Sequence, residues 1–148
     1  MTLLEAYQNI KQIDTSRLVD EVLSELRPLI LDLNRFQLEQ GLNAEGKRFR
    51  KYKNKSYSAK KALMNSLPGF GNPDLKVSGD FWKAFKADLK GGIMDIYSTD
   101  RKAEWLEEGT SRMRAFAKIY GLTPLNMEHL RIEFLTLFLP RLRLEIGV

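Results

Sequence analysis

Apolar residues recur at alternating steps of three and four along the first quarter of the chain: Val19, Val22, Leu26, Leu29, Leu33 and Phe36. Leu18, Leu23 and Ile30 widen that stripe. This is the period of a long helix buried on one face. Asp14, Thr15 and Ser16 precede it with the short side-chain oxygens that accept from the free amides of a helix start. Asp20 and Glu21 lie near its positive end, and Gly41 is a natural stop. Pro28 removes one helical hydrogen bond from this pattern, which predicts a kink or a split into two helices. Ahead of it, residues 2–12 place Leu3, Leu4, Tyr7 and Ile10 on one side of a short amphipathic helix.

The helical period fades over residues 41–80, a middle segment punctuated by Gly41, Gly46, Pro68, Gly69, Gly71, Pro73 and Gly79. Within it, Gly46 to Lys53 reads as a short strand or an extended arm, and Tyr57 to Leu67 as a short helix. Phe81, Trp82, Phe85 and Leu89 have the spacing of an aromatic helix face. Ile93 to Ser98 reads as a strand after a turn at Gly91 and Gly92. Lys102 to Glu108 predicts a short helix ended by Gly109, followed by a loop with Phe116, Ile119 and Tyr120 as packing residues. Thr123 and Pro124 open a last helix as cap and first-turn proline. Leu130, Phe134, Leu137 and Phe138 continue its apolar face up to Pro140, and Leu142 to Ile146 alternate like a terminal strand or tail. The expected fold is α+β in a single domain over 1–148. It has a long N-terminal helix, a small antiparallel sheet, a protruding basic loop or hairpin and a C-terminal helix.

Composition alters this picture mainly through charge. Hydrophobic residues at 43% and charged residues at 29% are ordinary for a folded domain. With no cysteine, a disulfide framework and thiolate metal or redox chemistry are excluded. No apolar run has the length of a membrane span, and the first residues do not resemble a signal peptide, so the expected setting is assembly in the cytoplasm without a membrane. The net charge of +5 is unevenly spread. Residues 1–46 carry 4 basic and 8 acidic side chains, residues 47–61 carry 8 basic and none acidic, and the remainder carries 12 and 11. The positive excess is therefore one local patch.

Candidate chemistry is sparse. His129 is the only histidine, and no nucleophile and orienting acid accompany it in the pattern of a catalytic triad. Glu104, Glu107 and Glu108, with Asp95 and Asp100, have carboxylate spacings that can hold a divalent cation, but Arg101 and Lys102 balance them as a solvated face. The glycines at 69, 71 and 79 lack the Gly-Lys-Ser/Thr of a phosphate loop. No catalytic residue, cofactor or metal site is nominated, and a small hydrolase or lysis factor finds no residues to support it. The pointed feature is the basic segment of Lys47, Arg48, Arg50, Lys51, Lys53, Lys55, Lys60 and Lys61, interleaved with Phe49, Tyr52 and Tyr57. Its cations can neutralise phosphates and its rings can stack on bases. The same cations can dock on an acidic surface of a neighbouring subunit. Lys47, Arg48, Arg50, Lys51, Tyr52, Lys53 and Lys55 are the candidate interface or DNA-facing residues. Phe81, Trp82, Phe85 and Trp105 read as core, and any of them found exposed would mark an interface.

Several segments, in this order, resemble those of phage virion-morphogenesis proteins. GKRFRKYK (Gly46–Lys53), with Tyr57, Lys60 and Lys61, resembles their dG-x-x-W/F-x-x-Y/L … K segment. LKVSGDFWKAF (Leu75–Phe85) is similar to L-x-x-T/S-G-x-L/F-x-x-S/A-F/I. Ile93–Ser98 and then AEWLEEGT (Ala103–Thr110) resemble a strand followed by Y-A-x-x-x-x-G-T. MRAFAKIYGLTP (Met113–Pro124) resembles the closing M-P-A-R-x-F-x-G-L-S/T motif, with Arg114 where that motif carries proline. The resemblance spans roughly residues 35–130 and points to the Mu-like virion-morphogenesis and tail-completion group. It implies a small α+β structural subunit of a tailed-phage virion, a tail terminator or head–tail connector without enzymatic activity. It further implies homo-oligomeric rings, hexameric or dodecameric, with tail-tube or portal and connector proteins as partners and possible contact with DNA in the lumen. The alternative is a nucleic-acid-binding phage or bacterial protein acting through residues 47–61, although no helix-turn-helix or RNA-binding signature is visible.

Overall fold

The chain was analysed as a computed structural model that describes residues 2–64, 73, 75–76, 79–110 and 115–148. Its first helix, α1 (Leu3–Gln12), starts on a reciprocal cap. The Glu5 amide donates to the Thr2 hydroxyl at 3.2 Å, and the Thr2 amide donates to the Glu5 carboxylate at 2.6 Å. Asp14 caps α2 (Thr15–Glu25) by accepting from the Arg17 amide at 3.0 Å. The long N-terminal helix is split rather than merely kinked: α3 (Arg27–Glu39) begins one residue after Leu26. Pro28 thereby falls in the first turn of α3, where its missing amide costs no helical bond. Helical bonds still cross the joint, from the Leu26 amide to the Val22 carbonyl and from the Ile30 amide to the Leu26 carbonyl, both 3.0 Å.

After α3 the chain runs through an irregular stretch into α4 (Lys55–Met64); residues 65–67 of the helix expected there lie outside the described residues. So do Pro68, Gly69 and Gly71, and residues 113–114 of the closing motif. The aromatic run departs from expectation. Only Asp80–Lys83 is helical (α5), and Phe85–Lys90 forms strand β1 rather than continuing the helix. The two-residue alternation of FKADLK outweighs the helical spacing: Phe85, Ala87 and Leu89 turn inward, Lys86, Asp88 and Lys90 outward. β1 pairs antiparallel with β2 (Ile93–Ser98), from Phe85 opposite Ser98 to Lys90 opposite Ile93. Gly91 and Gly92 close the hairpin at φ 55° and 76°, the double positive φ that a tight turn of matching twist demands. α6 (Ala103–Glu108) ends at Gly109 as expected.

The last helix, α7 (Pro124–Ile146), corrects a second expectation: it passes through Pro140, and residues 142–146 are helical, not extended. An interior proline costs about 3 kcal/mol in an isolated helix, so tertiary contacts must offset it. Pro140 faces solvent. Beyond it Arg141 pairs with Glu25, Glu145 with Arg17 at 2.6 Å, and the Asn9 amide donates to the Ile146 carbonyl at 3.2 Å. Gly147, left-handed at φ 84°, ends the helix.

Two hydrophobic clusters hold these elements. Val22, Leu26 and Ile30 meet Met94 and Ile96 of the hairpin and Leu130, Phe134, Leu137 and Phe138 of α7. Leu38, Phe49, Phe81, Trp82, Phe85, Ala103 and Ile119 form the other. Burying a side chain the size of Phe85 contributes roughly 2–3 kcal/mol. The buried stripe of α2 and α3 runs through Leu18, Val22, Leu26, Ile30 and Leu33, so Phe36, expected inside, faces outward.

Two amides complete that stripe where apolar residues would be expected. Asn34 and Gln37 are 0% and 1% exposed. Asn34 donates to the Ile119 carbonyl at 3.0 Å and accepts from the Gly121 amide at 3.3 Å. Gln37 donates to the Gly121 carbonyl at 2.7 Å and accepts from the Thr123 amide at 3.0 Å. Asn126 donates to both the Leu33 carbonyl and the Gln37 side chain, at 3.1 and 3.2 Å. This neutral latch ties the loop before α7 to α3 and uses both ends of each α3 amide, as buried polar groups require.

Candidate interaction surface

The basic segment is rooted at the C-terminal end of α3. Gly41 (φ 69°) turns the chain, and Asn43 braces the next turn, its side-chain oxygen accepting from the Glu45 and Lys47 amides at 3.0 and 2.9 Å. A single antiparallel bridge joins Leu42 to Arg48 and residues 49–54 are irregular, so of the short strand or extended arm expected over 46–53 only this one pairing is strand-like. Phe49 is no free aromatic. Its amide donates to the Gly41 carbonyl at 2.9 Å, and its buried ring meets Phe116 edge-on at 5.4 Å. Asn54 then starts α4 by accepting from the Ser56 and Tyr57 amides at 2.9 and 3.2 Å.

The nominated cations divide into two groups. Lys47 pairs with Glu45 at 3.1 Å, which holds that carboxyl below the usual range, and Arg48 donates to the Gln40 carbonyl at 3.3 Å. Lys61, only 3% exposed, is folded onto Tyr52, its ammonium 2.5 Å from the phenol oxygen. Tyr52 is half-buried and meets Tyr57 edge-on at 5.2 Å. Arg50 and Lys51 are exposed and have partners of their own. Lys53, Lys55 and Lys60 are exposed and carry no ion pair among the described residues. The unneutralised charge therefore lies on the far part of the segment and on α4, with the half-exposed Tyr57 beside it.

Sequence reasoning missed a second charged surface at the other end of the α2–α3 rod. An open depression of about 630 Å³ is lined by Asp14, Ser16, Arg17, Asp20, Glu21 and Ser24. Arg17 is shared between Glu21 and Glu145, both at 2.6 Å, which raises its pKa through those hydrogen bonds. Asp14 and Asp20 have no cationic partner among the described residues, and one oxygen of Asp20 is sealed from water without a hydrogen bond. Its one trace in the sequence is the acidic excess of residues 1–46, in which Asp14 also reads as a helix cap and Asp20 and Glu21 as partners of the helix dipole.

The carboxylates weighed for metal binding do not converge. Glu107 accepts from the Tyr120 hydroxyl at 2.6 Å, Asp100 accepts from the Lys102 amide at 2.7 Å, and Asp95 sits opposite Asp88 in the hairpin. Among the described residues no group of three metal-ligating side chains comes together, and no helix is long and apolar enough to cross a membrane. His129 is exposed, 3.7 Å from Glu133. Comparison with known proteins finds no matching family model, no matching curated protein and no matching solved structure.

Proposed function

We propose that this chain is a non-enzymatic structural subunit of a tailed-phage particle, one that acts at the head–tail junction or tail end by joining other copies in a ring. The phage assignment rests on the ordered sequence segments between residues 35 and 130. The observation that carries the assembly role is the number of large apolar side chains turned to water. Leu3, Leu4, Tyr7 and Ile10 of α1 are all exposed, Leu3 at 92%, and so are Leu125, Met127, Ile132, Leu139 and Leu144 of α7. Trp105 of α6 is 51% exposed and stands outside the core that takes Phe81, Trp82 and Phe85. Apolar surface on this scale is normally covered by a partner.

Electron microscopy of the purified protein, alone and mixed with tail and connector components, tests this: rings, or caps on tail ends, are expected. A monomer under all these conditions that is also absent from purified particles overturns it. A second reading, nucleic-acid binding through residues 47–61, is favoured by one observation: Lys53, Lys55 and Lys60, beside Tyr57, carry no ion pair among the described residues. It predicts a log affinity that falls linearly with log salt.

A further inference from the structure

We infer that copies of this chain associate head to tail, the α4 surface of one copy seating on the α1–α2 surface of the next. The inference rests on the ring reading above and names the two faces that would meet. One face is cationic with apolar insertions: Lys53, Lys55 and Lys60 carry no ion pair among the described residues, Tyr57 is half-exposed and Leu63 90% exposed. The other is acidic with an apolar flank. Asp14, Asp20 and Glu21 line the depression with Arg17, whose charge is already shared by two carboxylates, and α1 presents Leu3, Leu4, Tyr7 and Ile10.

Within one molecule neither face neutralises the other. The acidic depression lies along α2 and the basic segment is rooted beyond the end of α3, and among the described residues no ion pair joins Lys53, Lys55 or Lys60 to Asp14, Asp20 or Glu21. Surfaces of opposite charge that leave each other unneutralised within one subunit are complementary between copies. Such a contact uses a different patch on each partner, and it closes into a ring or extends as a filament according to the rotation between copies. A lysine of the neighbour would also give Asp20 the cationic partner it lacks among the described residues.

Paired charge reversals test this with the full chain. The variant K53E/K55E/K60E has two acidic faces and the variant D20K/E21K two basic ones. Each should weaken self-association on the order of a hundredfold, read by sedimentation velocity. Mixing the two should restore it, since each reversed face then meets its complement, and a restored complex also establishes that both variants are folded. Wild-type association should fall as salt rises. Oligomers that ignore both reversals and salt would overturn the pairing while leaving ring assembly in place. Loss of association in each variant without recovery on mixing would overturn it too. If the lysine variant instead sediments as wild type but no longer binds a DNA duplex, the basic face belongs to nucleic acid and the pairing fails. Incorporation into particles, scored separately, tests the parent reading.

Discussion

The latch on α3 and the basic segment that follows it are neighbours in sequence but differ in almost every physical respect. The latch is built from uncharged amides, and every partner it has comes from its own chain: Asn34, Gln37 and Asn126 bind one another or the backbone of residues 33 and 119–123. The basic segment is fastened by Phe49, the turn at Asn43 and the Lys61–Tyr52 contact, while Lys53, Lys55 and Lys60 carry no ion pair among the described residues. Dense internal satisfaction marks a group that specifies the fold, because leaving any of its members unpaired is costly. Exposed, unsatisfied charge contributes little to folding and is available to a partner. The two regions should therefore respond differently to substitution.

The largest effect is expected at the latch. Replacing Gln37 by alanine removes an acceptor of two bonds and a donor of one, leaves the Thr123 amide and Gly121 carbonyl unpaired, and should cost about 3 kcal/mol in urea unfolding. A cost no larger than that of a surface substitution would mean that the network is ornamental. Phe49→Ala should cost about 2–3 kcal/mol and should raise amide hydrogen exchange across residues 49–64, because it removes the ring that anchors the segment to Phe116. Tyr120→Phe should cost about 1 kcal/mol at neutral pH, and its difference from wild type should shrink in alkali. Burial and, next, the bond to Glu107 raise the Tyr120 pKa above its ordinary value of 10.0. The stabilisation is thus complete below pH 10, where folded and unfolded chains both hold the proton. It declines as the pH rises further, because the unfolded chain then loses a proton that the folded one keeps. Arg141→Gln should change stability by less than about 1 kcal/mol, since the pair with Glu25 is partly exposed. Smallest of all, K53Q/K55Q/K60Q should leave stability within about 0.5 kcal/mol of wild type. A large loss there would place these lysines on the latch's side of the comparison.

Much of the fold was legible because one physical preference dominated locally. Thr123 with Pro124, the turn at Gly91 and Gly92, and the stop at Gly109 are positions where a cap or a positive φ admits few residue types. The failures fall where two preferences compete. Phe81, Trp82, Phe85 and Leu89 fit a helix face, but Phe85, Ala87 and Leu89 also alternate, and pairing with β2 decides for the strand. Pro140 is a strong helix breaker, outweighed by contacts to α1 and α2 that no local pattern contains. Asn34 and Gln37 left a fainter trace, two amides on the same stripe as Ile30 and Leu33, but their partners are more than eighty residues away in the chain. Of the candidate surface, the basic half was plain from charge counting. The acidic half was not: Asp14, Asp20 and Glu21 lie within one stretch of α2 and its cap, but that Arg17 is also shared with Glu145 of α7, leaving their charge incompletely compensated, is no local pattern.

That last contact has a practical corollary. Asn9 touches the backbone at Ile146, so the first and last helices of the described fold lie side by side. A short glycine linker could bridge them, and the backbone could be reopened at the solvent-facing turn of Gly91 and Gly92. The rearranged fold would keep the described helices in place while opening the backbone at the hairpin tip. Fluorophores or affinity handles could then be attached at the hairpin tip.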